Sequence, residues 1–358
     1  MAAHLDHKLA AFTLAVGLLL GACQPSPEPT NDNGTESDDQ ATEEAAEDGA
    51  AGTGEEGDPA GAGEGGQNTD PETDNTDNTD NTADDGEAFL SEQAEYGEPA
   101  LSDVSFGSSP SQSLDVYFPP GGPVAGAPTV VYYHGGAWAF GSKERISPLA
   151  KSLADIENLE LTPTLVSVGY RLSSDDESAS KSLQDAASGI RWIQEEGPGL
   201  WGADPDQVIA MGFSSGGTLA AEMALNGAGY DLPAPLAGYI SESGVLSVTD
   251  FHDLGHNYPV ELWLDCPEEG CSRERLARYS AENNVLATAP PAYIVFGEED
   301  RIVSRFGAEA LAASYEAIGI GCRFWGDEIF DTGHSAAGRG ADMARIGAFL
   351  NGIDNMAC

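Results

Sequence analysis

A serine pair between glycines is the first feature of this sequence that could carry chemistry. Gly212-Phe213-Ser214-Ser215-Gly216 follows the apolar run "VIAM" and precedes the alanine-rich stretch "GTLAAEMAL". A strand that turns sharply into a helix leaves no room for side chains at the flanking positions, and it exposes the hydroxyl of the central serine. The pattern therefore makes Ser214 a candidate nucleophile. A plain glycine-rich turn between a strand and a helix fits this stretch, taken alone, equally well.

A second glycine-rich segment lies upstream, where His134-Gly135-Gly136 follows the apolar run "TVVYY". Glycines at this point leave backbone N–H groups open to an incoming carbonyl oxygen, and one such donor is worth about 3 kcal/mol in an acyl-transfer transition state. We expect the amides of Gly135 and Gly136, together with that of Ser215, to form an oxyanion hole. His134 is expected to orient this loop rather than to act as the general base.

A serine hydroxyl is a poor nucleophile without a base to take its proton and a carboxylate to orient that base. His334 lies in the glycine-flanked stretch "FDTGHSAAG", and Asp300 lies in the loop after the apolar run "YIVFG". Glu298 and Glu299 are adjacent alternatives to Asp300, which we prefer as the acid. These residues predict nucleophilic catalysis by Ser214, with His334 moving the proton and Asp300 orienting His334. No metal and no other cofactor is expected.

Strand-like and helix-like segments alternate around these motifs. Short apolar runs predict strands, and longer stretches with apolar residues at helical spacing predict helices. The predicted strands are "SLDVYF", "PTVVYYHGG", "TPTLVSVGY", "DQVIAMGF", "PLAGYISES" and "PPAYIVFGEED", and the predicted helices are "SASKSLQDAASGIRWIQEE", "SGGTLAAEMAL", "SRFGAEALAASYEAIG" and "ADMARIGAFLNGI". This alternation predicts an α/β fold with a mostly parallel sheet and helices on both faces. Its reactive side chains should lie on loops at the carboxyl ends of the strands.

Several motifs in this order resemble the α/β-hydrolase superfamily, from about residue 114 to residue 352. They are "YYHGGAW", "GYRL", "LQDAASGIRWI", "GADPDQVIAMGFSSGG", "PPAYIVFGEEDRIV" and "GHS". The resemblance is to serine esterases and lipases with a His-Gly-Gly motif, which include hormone-sensitive-lipase-like and feruloyl- or acetyl-esterase-like carboxylesterases. Ala137 stands where many relatives have glycine, and Phe213 stands where hormone-sensitive-lipase relatives have an acid. The feruloyl- and acetyl-esterase side is therefore the closer match.

The N-terminal part of the chain differs in composition from the rest. Residues 9–22 form an apolar run of 14 residues that ends in "LLGAC". The run is too short for a comfortable membrane span and suits a secretory signal peptide. "LLGAC" resembles the lipobox of bacterial lipoproteins, in which the cysteine, here Cys23, is lipidated; an ordinary signal peptide is the alternative. We expect a lipoprotein signal over residues 1–22 and attachment to the bacterial cell envelope, at the outer membrane or cell surface.

A long acidic segment follows the signal. Between Glu28 and Glu98 there are 24 acidic residues and no Lys or Arg. Such a segment buries too little apolar area to offset the entropy of ordering it, so residues 23–88 are predicted to be a disordered tether and residues 89–358 the catalytic domain. Residues 99–358 still carry a net charge near −21. This excess of acids argues against nucleic acid as a partner.

Four cysteines remain after Cys23, and an even number in an exported chain favours disulfides. Of the three pairings that four cysteines allow, we favour Cys266–Cys271, which closes "CPEEGC", and Cys322–Cys358, which ties down the C-terminus. Zinc is a weaker alternative, because no cysteine pair has finger-like spacing with a histidine pair.

Residues 246–280 do not fit the alternating pattern and read as a small insertion above the site. His252 and His256 lie near Asp250 and Asp253, which raises a metal site, but polar loop residues with aromatic packing explain the segment better.

The whole sequence predicts an exported serine carboxylesterase that forms an acyl-enzyme and acts on a small-molecule or carbohydrate-linked ester. The alternatives are an arylformamidase or peptidase with the same triad, and a non-catalytic surface binding protein on a hydrolase scaffold. The sequence makes no prediction of oligomeric state.

Overall fold

A computed structural model describes residues 98–156, 159–175, 178–329, 332–334 and 343–353. The predicted signal, the predicted tether, Cys23 and Cys358 lie outside these residues. The described residues form one eight-stranded sheet in the order β1-β2-β4-β3-β5-β6-β7-β8. The strands are β1 (Leu101–Ser105), β2 (Ser113–Tyr117), β3 (Thr129–Tyr133), β4 (Thr164–Val168), β5 (Val208–Phe213), β6 (Gly238–Glu242), β7 (Ala292–Gly297) and β8 (Phe324–Ile329).

The sheet is mostly parallel. β1 pairs with β2, and β2 with β4, in antiparallel fashion, while the pairs from β4 through β3, β5, β6 and β7 to β8 are all parallel. Every residue of β3, β4 and β6 is buried, so these segments are rich in apolar residues and lack the alternation of a strand with one exposed face. The predicted fold class, an α/β-hydrolase fold with a mostly parallel sheet, is confirmed.

Helices cover both faces of the sheet. They are α1 (Pro148–Ser152), α2 (Ala179–Trp201), α3 (Ser215–Asn226), α4 (Val248–Asp253), α5 (Asn257–Trp263), α6 (Arg273–Arg278), α7 (Phe306–Ala317) and α8 (Met343–Gly352). Alternate residues of β3 enter the two cores, because successive side chains of a strand point to opposite faces. Val131 and Tyr133 pack in the core with α2, α3 and α7, and Val130 and Tyr132 pack with α1 and α8. No helix among the described residues is long and apolar enough to cross a membrane.

The segment 246–280 is an insertion between β6 and β7, as predicted. The prediction that it consists of polar loop residues was wrong, because it contains the three short helices α4, α5 and α6. The side-chain hydroxyls of Ser247 and Ser272 cap α4 and α6, each accepting a bond from a backbone N–H three residues on. The Trp263 ring at the end of α5 stacks on Trp138 with the ring centroids 4.3 Å apart. Cys266 and Cys271, predicted to pair, form a disulfide just after α5.

Candidate active site

Ser214 occupies a strained turn between β5 and α3. Its φ of 53° and ψ of −120° lie outside the regions that residues with a Cβ favour. The surrounding structure fixes this conformation, because the Ser214 N–H donates to the carbonyl of Glu242 at 2.9 Å and its carbonyl accepts from the Gly217 N–H at 2.9 Å. A Cβ at Gly212 would collide with the backbone of Gly216, and one at Gly216 with the Tyr133 carbonyl. The two glycines therefore make room for the turn.

The three side chains predicted as a triad lie in hydrogen-bond contact. His334 Nε2 is 2.9 Å from Ser214 Oγ, and His334 Nδ1 is 2.8 Å from Asp300 Oδ2. A carboxylate can only accept, so Nδ1 carries the proton and Nε2 is free to accept the serine proton. This is the tautomer that a general base for Ser214 requires.

Asp300 is held in place by the loop that follows β7. Its second oxygen, Oδ1, accepts the backbone N–H groups of Ile302 and Val303, each at 2.9 Å. Its side chain is 2% exposed and that of His334 is 7% exposed. Little water competes for these bonds, so the electrostatic interaction between the carboxylate and the imidazole is stronger than it would be at the surface.

The predicted oxyanion loop follows β3, which pairs with β5 in parallel. The carbonyl of His134 accepts the Tyr170 hydroxyl at 2.8 Å, and the carbonyl of Gly135 lies 2.9 Å from His134 Nδ1. In a trans peptide the C=O and N–H groups point in opposite directions. Fixing these two carbonyls therefore fixes the N–H groups of Gly135 and Gly136, which belong to the same two peptide units. Both amides that were predicted to hold the oxyanion are thus preoriented.

His134 is a positioning residue in this geometry. Its ring is buried and stacks on Tyr170 with the centroids 4.3 Å apart. Burial lowers the pKa of His134 to about 4, so the ring is neutral at neutral pH. Since the Gly135 carbonyl only accepts, the neutral ring carries its proton on Nδ1.

Ser215, the third predicted donor, is the first residue of α3. Its backbone N–H is one of the amides at a helix N-terminus that have no acceptor within the helix, where the aligned peptide dipoles favour negative charge. Ser214, Ser215, Gly135 and Gly136 lie at the carboxyl ends of the adjacent parallel strands β3 and β5. The arrangement can hold a carbonyl carbon at Ser214 Oγ while the amides receive its oxygen.

Three further residues lie at this site or support it, and the sequence motifs did not predict this role for them. Tyr170 lies within "GYRL" without a catalytic pattern of its own. Phe213, noted only as a departure from relatives, places its ring 5.0 Å from that of His334. His256 comes from the insertion and stacks on Phe251, and burial together with the charge of His334 lowers its pKa. No pattern in the sequence predicts that His256 lies near the triad.

Comparisons with known proteins place this chain in a family and among esterases. The BD-FAE family model matches residues 114–315. The chain is 35% identical over 97 residues to carboxylesterase NlhH of Mycobacterium tuberculosis, a match that covers 27% of this chain and 28% of that protein. It is 24% identical over 244 residues to kynurenine formamidase of Danio rerio, covering 68% of this chain and 77% of that protein. The chain thus spans little more than a quarter of the first of these relatives.

Solved structures share the fold. A truncated carbohydrate esterase from gut microbiota superposes with a TM-score of 0.61 at 17% identity, over 71% of this chain and 95% of that one. At this identity the likeness concerns the architecture of the sheet and its helices.

Proposed function

The chain belongs to the BD-FAE family, and from this premise we propose that it is a carboxylic ester hydrolase with Ser214 as its nucleophile. The observation that carries the proposal is the position of His334, which touches Ser214 Oγ with one ring nitrogen and Asp300 with the other. The family match and the similarity to esterases support the reaction class. The residue roles rest on this geometry and on the chemistry of the groups.

In the first half of the reaction, Ser214 Oγ forms a bond to the ester carbonyl carbon while His334 Nε2 takes the hydroxyl proton. The carbonyl oxygen becomes an oxyanion, which the amides of Gly135, Gly136 and Ser215 stabilise. The bond to the alcohol oxygen then breaks, and His334 gives that oxygen its proton. The products of this half are a free alcohol and an acyl group on Ser214.

In the second half, water replaces the alcohol. His334 takes a proton from water as the water oxygen bonds to the acyl carbon, and the same amides hold the second oxyanion. When the bond to Ser214 Oγ breaks, His334 returns the proton to the serine and a carboxylic acid leaves. Asp300 remains ionised throughout and stabilises the imidazolium.

The substrate class we propose is a small-molecule or carbohydrate-linked carboxylic ester. The carbohydrate esterase with the same fold is compatible with the second kind. Formamide hydrolysis is a second candidate activity, because the similarity to kynurenine formamidase extends over 77% of that protein. The same triad and amides could attack a formamide carbonyl.

The test is hydrolysis of p-nitrophenyl acetate, butyrate and octanoate, with an N-formyl arylamine measured in parallel. We expect wild-type turnover of at least one ester and a loss of about 10^4-fold or more in Ser214→Ala, in line with the cost of removing a triad serine. Ser215→Ala is the matched control, since it keeps the backbone N–H and should keep most of the activity. Cleavage of the formamide alone would contradict the esterase assignment, and equal rates in wild type and Ser214→Ala would contradict the nucleophile.

We also propose that the protein is exported and attached to the bacterial cell envelope through a lipid on Cys23. The support is the apolar run of residues 9–22 followed by "LLGAC". The acidic stretch that follows would hold the catalytic domain away from the membrane surface, because its like charges repel and extend it.

A further inference from the structure

An open cavity of about 320 Å³ lies beside the acid of the triad. Asp300 and Gly297 belong to its lining, and the insertion contributes His256 and Leu254 from the other side. The His256 ring is close enough to His334 and Asp300 for its pKa to respond to both charges. The cavity therefore borders the triad at its acid, and the insertion gives it a wall that the sheet alone would not supply.

Part of the wall of this cavity is apolar. Leu254 is 54% exposed and Phe306 is 57% exposed, and both are among the most exposed large apolar side chains of the described residues. Exposed apolar surface that converges on a concave site next to reactive groups is typical of a ligand pocket. The apolar part of a substrate would bury these two side chains.

The same cavity carries cationic groups. Two of the 15 Lys and Arg residues in the chain, Arg301 and Arg305, belong to its lining. Arg305 is paired with Glu309 and Glu328 at 3.3 and 3.2 Å. Arg301 is exposed, and in the part of the chain that the structure describes no acid or carbonyl forms an ion pair or hydrogen bond with its guanidinium. In a chain of net charge −45, an exposed guanidinium without an ion pair to any described residue is an unusual group to find beside the acid of the triad.

Two acids line the cavity together with Arg301. Asp300 already accepts bonds from His334, Ile302 and Val303. Glu298 also belongs to the lining and has interactions of its own. Both acids and Arg305 thus have partners, whereas the Arg301 guanidinium is open to a ligand among the described residues of the lining.

The position of the cavity indicates which part of an ester it would receive. His334 must give its proton to the leaving alcohol oxygen, so the alcohol has to lie on the side of the imidazole. The cavity runs along the loop of Asp300, whose carboxylate contacts Nδ1 of that imidazole, and its described lining includes no residue of the oxyanion loop.

We propose that this cavity is the subsite for the leaving group, and that it selects alcohols that combine an apolar body with a carboxylate. Leu254 and Phe306 contact the body, and the Arg301 guanidinium binds the carboxylate. This inference rests on the proposed ester hydrolysis and specifies its alcohol.

The experiment compares two esters with the same acyl group, 4-acetoxybenzoate and its neutral methyl ester, methyl 4-acetoxybenzoate. We expect Arg301→Gln to lower kcat/KM for the anionic ester about tenfold, a size typical of a partly exposed charged contact, and to change the neutral ester by less than twofold. The comparison of variant with wild type removes the intrinsic difference in reactivity between the two phenols. Arg301→Lys should recover part of the loss, and Lys151→Gln, which removes an exposed cation on α1, should change neither ester.

Each contrary outcome would contradict a different part of the proposal. Equal effects of Arg301→Gln on both esters, or no effect on either, would overturn the subsite. A loss confined to p-nitrophenyl hemisuccinate, which carries its carboxylate on the acyl side, would overturn the placement of the leaving group. If wild-type protein cleaves neither acetate, the ester hydrolase proposal fails instead, and the two failures are distinguishable.

Discussion

Tyr170 is not one of the three triad residues, but its contacts determine the geometry of the loop that follows β3. Its hydroxyl holds the carbonyl of His134 at 2.8 Å, and its ring supports the imidazole that holds the next carbonyl. These two contacts orient the Gly135 and Gly136 amides, so the proposed oxyanion hole depends on them. Preorganised donors stabilise the transition state because they need no reorganisation during the reaction.

We predict that Tyr170→Phe lowers kcat about fivefold and leaves KM nearly unchanged, because one hydrogen bond of about 1 kcal/mol is lost from the support of the oxyanion hole. Steady-state kinetics on a p-nitrophenyl ester measures both constants. Tyr315→Phe is the matched control, since its buried hydroxyl also donates to a backbone carbonyl, that of Pro290, but on α7 away from the site. An equal fall in kcat in both variants would indicate a general loss of stability instead.

His134 should make folding stability depend on pH. Its pKa is about 4 in the folded protein, against about 6.5 for an unperturbed histidine. Between these values the unfolded state binds a proton that the folded state does not, so stability falls as the pH falls from about 6.5 towards 4. By linkage, His134 alone contributes a loss of about 2 kcal/mol between pH 7.5 and pH 5.

Denaturant unfolding of wild type and His134→Gln at pH 7.5 and pH 5 measures this contribution. The variant is expected to be less stable at pH 7.5, because the contact to the Gly135 carbonyl changes, and to lose less stability on acidification than wild type. Parallel losses in the two proteins would show that His134 does not titrate as its burial indicates.

The sequence identified three side chains that the structure brings into contact, but it did not identify the residues that support them. Ser214 and His334 are recognisable because glycines must flank them for steric reasons, and flanking glycines can be read directly from the sequence. Asp300 had to be chosen among three adjacent acids, and the contact with His334 is what distinguishes it. Tyr170 and His256 reach the site through the path of the chain in space, which local patterns do not encode.

At the scale of elements, the insertion is the part of the fold that differs most from its predicted form. It was expected as a polar loop, and it contains α4, α5 and α6. These helices have only six or seven residues and no long amphipathic repeat, so hydrophobic periodicity could not reveal them. They are stabilised by tertiary contacts, which include the stack of Trp263 on Trp138.

Two strands were also missed. β1 and β8 are edge strands of the sheet, and β8 reads "FWGDEI", with acids and a glycine in place of an apolar run. Central strands are buried on both faces and have to be apolar, whereas edge strands do not. The strands in the interior of the sheet were therefore predicted correctly, whereas the two edge strands were not predicted.

Trp263 should connect the insertion to catalysis. It stacks on Trp138, which lies in the oxyanion loop two residues after Gly136, and its indole N–H donates to Ser182 at 2.9 Å. We predict that Trp263→Ala lowers the free energy of unfolding by about 3 kcal/mol, as for other buried aromatic residues, and also lowers kcat. Chemical denaturation and steady-state kinetics measure the two effects.

Trp201→Ala is the control, because Trp201 is equally large and buried but lies at the end of α2. It should reduce stability with little change in kcat at a temperature where both variants are folded. If Trp263→Ala retains full kcat under those conditions, the insertion contributes packing without positioning the loop.

At the scale of the whole molecule, charge is the dominant property. The chain carries 60 acids against 15 Lys and Arg, for a net charge of −45. Such a charge keeps a protein soluble and repels nucleic acid and anionic surfaces. A protein of this charge does not adhere to an anionic membrane by itself, so membrane attachment requires the lipid proposed on Cys23.

We predict that Cys23→Ala moves the protein from the membrane fraction to the soluble fraction of the expressing bacterium without changing kcat/KM. The reason is that the lipid on Cys23 is the membrane attachment that we propose. Immunodetection after ultracentrifugation measures the distribution, and Ser26→Ala is the control for a substitution in the same segment. A variant that remains in the membrane fraction would contradict the anchor.

The central claim is that Ser214 is a nucleophile activated by His334 and Asp300. The most direct test is to treat the folded protein with a fluorophosphonate and locate the adduct by peptide mass spectrometry. We predict one adduct, on the peptide containing Ser214, that is absent from Ser214→Ala and from protein unfolded in urea, and that forms far more slowly in His334→Ala. An adduct on another serine, or none under conditions in which a control esterase reacts fully, would contradict the account.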